Sequence, residues 1–169
     1  DLKTLLKQCF QAFVLLEKLQ IVHADIKPDN ILIKFNSDRP GDFLVQLCDF
    51  GSSTIFNQGR VGVATPEYMP PEALEKSSLK NLRMGIKNNE NNNCFSYSYD
   101  TWSLGAIFLE IIHGAPLWLN YKARVIENNK SYEKFGLFAA QHRDVDKIIQ
   151  KQITCLKNLN NICCGSKSD

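Results

Sequence analysis

His23-Ala24-Asp25-Ile26-Lys27-Pro28-Asp29-Asn30, written HADIKPDN, runs directly into the apolar stretch Ile31-Leu32-Ile33. It places an acid, a base and an amide in one short loop between a helix-like segment and a strand-like one, and loops carried on rigid elements are where catalytic groups concentrate. Pro28 has no backbone donor and its ring clashes with a preceding helical turn, so the loop does not continue as helix. Asp25 is therefore presented between two apolar anchors.

Upstream, Leu2, Leu5, Leu6, Cys9, Phe10, Phe13 and Leu16 recur at three- and four-residue intervals, with Lys3, Lys7, Gln11 and Lys18 largely on the other side. This spacing predicts an amphipathic helix of about five turns ending near Lys18. Ile21 and Val22 then lead into His23. Downstream, Ile31 to Phe35 and Phe43 to Cys48 read as strands, with the turn formers of Asn36 to Asp42 between them. A hairpin here returns Asp49 to the side of Asn30. One carboxylate and one amide then converge, and hard oxygen donors of this kind suit Mg²⁺, which completes its shell with water and substrate phosphate.

HADIKPDN followed by Cys48-Asp49-Phe50-Gly51 resembles the catalytic and metal-binding loops of the eukaryotic protein kinases, in which an HRD-type acid is followed five residues later by Asn and then by DFG. Ala64 to Glu72, ATPEYMPPE, resembles the substrate-binding segment that closes with APE. Asp100-Thr101-Trp102-Ser103-Leu104-Gly105 resembles the start of the family's central helix. Each motif alone is weak, since a lone HxD is usually a surface turn and a lone DFG an ordinary strand end. Four in the family's order are far more specific.

The resemblance implies a serine/threonine-type kinase, because Lys stands two residues after the acid. It implies that Asp25 orients the substrate hydroxyl and accepts its proton, that Lys27 neutralises the transferring phosphate of ATP, and that Asn30 and Asp49 hold Mg²⁺. Phosphoryl transfer asks a protein mainly for positioning and charge stabilisation, which these residue types supply. Phe50 is expected to pack inward and set Asp49, Gly51 to provide backbone freedom, and Thr65 to hydrogen bond near Asp25 and Lys27, where its hydroxyl can both donate and accept. Glu72 resembles an acid that pairs with a buried Arg, for which Arg124, Arg143 or no residue of this sequence is the counterpart. The residue that Asp100 resembles bonds the backbone of the catalytic loop, to which His23 belongs. His113 reads as a helix-end residue.

Two departures from the common pattern matter. Ala24 stands where most members have the Arg that pairs with an activation-segment phosphate, so no charge-assisted pair can form there, and Ser52, Ser53 and Thr54 are expected to be ordinary loop hydroxyls. HADIKPDN is also similar to the dual-specificity tyrosine-regulated and pre-mRNA-processing kinases, whereas VATPEYMPPE is the more general kinase form; the subgroup stays open. Residues 77–98, with Asn88, Asn89, Asn91, Asn92 and Asn93 around Glu90, read as an insertion-like disordered surface loop. From Asp100 to Ile112 the sequence is apolar almost all round, predicting a buried central helix that Gly114-Ala115-Pro116 stops. Residues 119–169 match the family weakly, and Tyr132 to Leu137 and Val145 to Leu159 are expected to be further helices.

The expected fold is thus mainly α with a small β-hairpin, a kinase-like larger lobe built as helices around a buried one, over residues 1–169. No glycine-rich loop or strand Lys precedes His23, and the small ATP-cradling lobe is expected to be its missing partner. Two functions follow. One is part of an active kinase whose whole form phosphorylates a protein substrate; the other is a non-catalytic interaction module on a kinase lobe. Small-molecule kinases fit less well, because Thr65 to Glu72 resembles a peptide-docking surface.

Composition narrows the setting. Twenty Lys and Arg against 18 Asp and Glu leave a net charge of +2, which gives no field directed at nucleic acid or an acidic membrane. Six cysteines form no CxxC pair, and no apolar run reaches the roughly 18 residues of a bilayer span. A cytoplasmic or nuclear protein with reduced thiols is expected; adjacent Cys163 and Cys164 lack the His cluster of a zinc site.

Overall fold

The computed structural model describes residues 2–58, 65–77, 96–114, 122–127, 130–135 and 145–158. Helix α1, Leu2–Lys18, follows the predicted periodicity and buries Cys9 and Leu16. It closes without glycine: Gln20 takes a left-handed φ of 58° and donates its N–H to Glu17 C=O. Strand β1, Ile21–Val22, follows at once and carries the chain into the loop at His23. A single 3-10 turn, Pro28–Asn30, then opens strand β2, Ile31–Phe35. Proline suits that first position because its missing N–H would be unsatisfied there anyway.

Strand β3, Phe43–Leu47, pairs antiparallel with β2, with Ile31 opposite Leu47 and Phe35 opposite Phe43. The ladder extends one pair further, since Cys48 N–H donates to Asn30 C=O at 3.0 Å. Asn30 and Asp49 therefore stand at the same end of the hairpin, as expected. A second pairing was not expected: β4, Thr54–Ile55, joins β1 with Val22 opposite Thr54 and Ile21 opposite Ile55. Two-residue strands carry no readable alternation.

Helix α2, Pro71–Ser77, starts on a proline and buries Ala73 and Leu74. Helix α3, Tyr97–His113, begins three residues before Asp100, so the expected insertion gives up its last two residues to helix. Gly114 caps α3 at φ 80°, its N–H returned to Glu110 C=O at 2.8 Å, which is the predicted stop. The first half of α3 is the buried one, through Tyr99, Leu104, Ala106 and Ile107, whereas Ile111 and Ile112 are each 48% exposed. The expected burial all round does not hold even there, since Ser98, Thr101 and Gly105 are exposed: the first half buries one face and the second half less. Helix α4, Val145–Lys157, contributes Ile148 and Ile149 to the core that Val22, Ala24, Met69, Ala73, Leu74 and Tyr99 share.

One expectation is overturned. Within the expected helix Tyr132 to Leu137, the described residues Tyr132 to Phe135 are strand: β5, Lys122–Glu127, and β6, Lys130–Phe135, form an antiparallel pair with Val125 opposite Tyr132. The register runs from Lys122 opposite Phe135 to Glu127 opposite Lys130. Tyr132 and Phe135 fit one helical face, but Val125-Ile126 supplies a β-branched partner strand. The described residues thus hold four helices and three two-stranded antiparallel sheets, more strand than one hairpin. Most of the asparagine-rich stretch 77–98, together with Arg143, Cys163 and Cys164, lies outside the described residues.

Candidate active site

The loop at His23 is held from beneath by Asp100, in the first turn of α3. Its Oδ2 accepts the His23 N–H at 2.8 Å and its Oδ1 the Ala24 N–H at 2.9 Å. Asp100 is 4% exposed, and burial pushes its carboxyl up while the two backbone hydrogen bonds and His23 oppose the shift. Ala24 adopts a left-handed φ of 64°, uncommon outside glycine, and its methyl group is part of the core. This turn redirects the chain so that the Asp25 side chain stays 10% exposed while Ile26 is fully buried.

The Asp25 carboxylate accepts four hydrogen bonds. Its Oδ1 accepts from Thr65 Oγ1 at 2.9 Å and from Thr65 N–H at 3.3 Å; its Oδ2 accepts from Lys27 Nζ at 2.8 Å and Asn30 Nδ2 at 3.2 Å. The Asp25 side chain is 10% exposed and that of Lys27 22%. Burial by itself would raise the Asp25 carboxyl, but hydrogen bonds from Lys27 and Thr65 and the Lys27 charge outweigh it and hold the group below the usual carboxylate range. The acid is kept ionised and fixed in direction. Thr65 both donates to Asp25 and accepts from Lys27 Nζ at 3.2 Å, so its hydroxyl plays the two-sided part expected of it.

Asn30 is 4% exposed and spends its amide nitrogen on Asp25, donating to the backbone C=O at 2.8 Å as well as to Oδ2. Its amide oxygen is then the group left to meet a cation. Asp49 is exposed and left-handed, φ 59°, and its Oδ1 accepts only the Gly51 N–H, at 3.2 Å, among the described residues. A hard amide oxygen and a free-facing carboxylate are donors of the kind that Mg²⁺ takes.

Two expectations shift here. The unusual backbone angle belongs to Asp49 rather than Gly51; a Cβ at position 51 would stand 3.1 Å from Asp49 Oδ1, so glycine there makes room for the carboxylate. Phe50 does not bury itself: it is 44% exposed and lies against His23, ring centroids 4.7 Å apart. His23 in turn links the two loops. The Cys48 carbonyl can only accept, so His23 Nε2 donates to it at 3.0 Å, which leaves Nδ1 to accept the Asp25 N–H at 3.4 Å.

Glu72 is exposed in the first turn of α2, so the expected buried pairing finds no support at that end. Beside the Thr65 segment the structure adds a pair that the sequence reading passed over: Tyr68 Oη donates to Glu110 Oε2 at 2.8 Å, and burial and the Glu110 charge push the Tyr68 hydroxyl up. Glu110, the one acid of α3 besides Asp100, set in an otherwise apolar run, is the available signal.

The sequence model of the protein kinase domain matches residues 1–167. Among curated relatives, the chain is 28% identical to "Citron Rho-interacting kinase" of Mus musculus over 85% of its length and 7% of that protein. It is 36% identical to "Serine/threonine-protein kinase dkf-2" of Caenorhabditis briggsae over 65% of its length and 8% of that protein. It is 32% identical to "Serine/threonine-protein kinase max-2" of Caenorhabditis elegans over 70% of its length and 16% of that protein. The chain thus spans a small part of the relatives it matches.

Proposed function

This chain belongs to the protein kinase family, and from that premise we propose that, within the whole protein, it carries the larger-lobe half of a serine/threonine phosphotransfer site. The observation that carries the reading is the Asp25 network, in which Lys27, Thr65 and Asn30 fix one ionised carboxylate above a loop bolted to Asp100.

In this reading a protein Ser or Thr hydroxyl sits at Asp25, which holds the O–H in line. The hydroxyl oxygen forms a bond to the γ-phosphorus of ATP as the bond from that phosphorus to the bridging oxygen breaks, ADP leaves, and the hydroxyl proton passes to Asp25. A carboxyl held below its usual range is a weak base, so its contribution is direction first and proton acceptance late, as suits a loose transition state. Lys27, bonded to both Asp25 and Thr65, stands where charge develops on the transferred group. Asn30 and Asp49 would hold Mg²⁺, which when bound neutralises phosphate charge.

The Thr65 to Glu72 segment, secured by Ser103 Oγ donating to Tyr68 C=O at 2.8 Å, is the proposed docking surface for the substrate polypeptide. Leu32 and Leu44 on the hairpin are each about half exposed, which supports a further lobe above them as the ATP-covering partner. A cytoplasmic or nuclear setting, without nucleic acid or membrane contact, is part of this proposal; no helix among the described residues is long and apolar enough to cross a membrane. The reading is tested by offering the full-length protein ATP, Mg²⁺ and arrayed peptides carrying Ser, Thr or Tyr. Phosphate on Ser and Thr peptides is the expected result. Transfer no greater than that of the Asp25→Asn form would leave a non-catalytic interaction module instead.

A further inference from the structure

Gln8 sits half-buried on α1, far in sequence from the candidate active site, and engages β3 with both ends of its carboxamide. Its Nε2–H donates to Phe43 C=O at 2.8 Å, and its Oε1 accepts the Val45 N–H at 2.8 Å. The ladder explains the fit. Asn30 with Cys48 and Asn36 with Asp42 are hydrogen-bonded at the two ends of the hairpin, so the backbone groups of Phe43 and Val45 face away from β2. One planar side chain therefore takes the place of a third strand at that edge.

Among the described residues, the side chains of the hairpin add little burial of their own. Of the ten residues of β2 and β3, only Phe43 is buried; Leu32, Ile33, Phe35 and Leu44 are 44% to 72% exposed. A two-stranded hairpin is marginal on its own. Yet β3 leads straight into Cys48, which bonds Asn30 and His23, and then into Asp49. Meanwhile Asp25 is fixed independently, through Asp100 on α3. Asn30 is tied to Asp25 directly through its amide nitrogen, so it is the placement of Asp49 relative to that pair that depends on how the hairpin is docked on α1.

We propose that Gln8 is a positioning residue that sets the metal affinity of the site by fixing the outer edge of β3. The inference rests on the reading of Asn30 and Asp49 as metal ligands given above. The chemistry required is specific, since a donor and an acceptor must lie in one plane: Leu supplies neither, and an ionised Glu supplies only the acceptor and turns a second oxygen on Phe43 C=O.

The test compares full-length wild-type protein with Gln8→Leu and Gln8→Glu, reading Mg²⁺ affinity directly by calorimetric titration of the ADP-loaded protein, beside the Mg²⁺ concentration for half-maximal peptide phosphorylation and the KM for peptide. Gln8→Leu should raise the Mg²⁺ requirement about 10-fold to 100-fold, the usual range for groups that orient metal ligands, with the peptide KM unchanged. Gln8→Glu should match it at neutral pH and recover towards wild type, measured at each pH, as acid restores an O–H donor to Phe43. An unchanged Mg²⁺ requirement in folded Gln8→Leu or Gln8→Glu, with only the yield or kcat reduced, overturns the inference and leaves the phosphotransfer reading standing. A wild-type protein that transfers phosphate without needing a divalent cation overturns the metal assignment itself, and the inference with it.

Discussion

Asp25 and Asp49 are both site carboxylates, but the protein treats them oppositely. Asp25 is nearly covered and accepts four hydrogen bonds from three residues, whereas Asp49 is exposed and accepts one, from its own loop. The first is preorganised by the fold; the second is left open for something the fold does not contain. Preorganisation matters where charge or a proton must be met without reorganisation, and openness matters where a ligand must enter.

The largest break in this contrast should come from removing the charge at each acid in turn. Asp25→Asn in the full-length protein should lower phosphorylation by a factor on the order of 10² to 10⁴, the usual contribution of a positioned base, at unchanged Mg²⁺ requirement. Asp49→Asn should instead be partly rescued by excess Mg²⁺. Steady-state rates across a Mg²⁺ series separate the two, and identical responses would erase the distinction between them.

A smaller effect, on stability, should come from the anchor under Asp25. Asp100→Ala leaves the His23 and Ala24 N–H groups buried without their acceptor, and a hydrogen bond to a charged group is worth roughly 1.5–3 kcal/mol. A loss of about 3 kcal/mol or more in denaturant unfolding is expected, against a change within about 0.5 kcal/mol for exposed Asp49→Asn. Equal losses would show that Asp100 does not bear the loop.

The smallest effect concerns acid. Because the folded-state value of Asp25 lies below its unfolded one, the unfolded chain binds the proton first; the stability from this carboxylate is present above the ordinary Asp range and is lost as pH falls through the folded value. Unfolding midpoints taken across that acid range should fall less steeply in Asp25→Asn than in wild type. Asp100, raised by burial, carries the opposite sign: its contribution is present below the unfolded value and is lost as pH rises through the folded one. An unchanged acid slope in Asp25→Asn would contradict the hydrogen-bonded ionised state.

Most of the site could be read from the sequence because its groups are local or ordered along the chain. Asp25, Lys27 and Asn30 lie within six residues, and hairpin symmetry alone brings Asp49 to Asn30. What escaped reading has its cause in long-range or backbone partners. Gln8 bonds backbone groups 35 and 37 residues away, which no side-chain pattern announces. The β1–β4 pair is too short to alternate, and Tyr132 was misread because its partner strand, rather than its own spacing, decides its conformation. Backbone freedom is expected at Gly51 because glycine is the commoner bearer of unusual angles, yet the left-handed angle lies at Asp49.

The two ends of the asparagine-rich stretch are both tied to the folded body. Ser77 closes α2, and Tyr97, which opens α3, stacks on Phe56 with ring centroids 4.4 Å apart and donates its hydroxyl to Glu17 C=O at 3.3 Å. Joining two fixed points costs closure entropy that grows only with the logarithm of length, about 0.6 kcal/mol for each doubling. With both anchors held in this way, the positions of α2 and α3, and so of Asp100 beneath the Asp25 loop, are set by their own packing rather than by the length of chain that joins them.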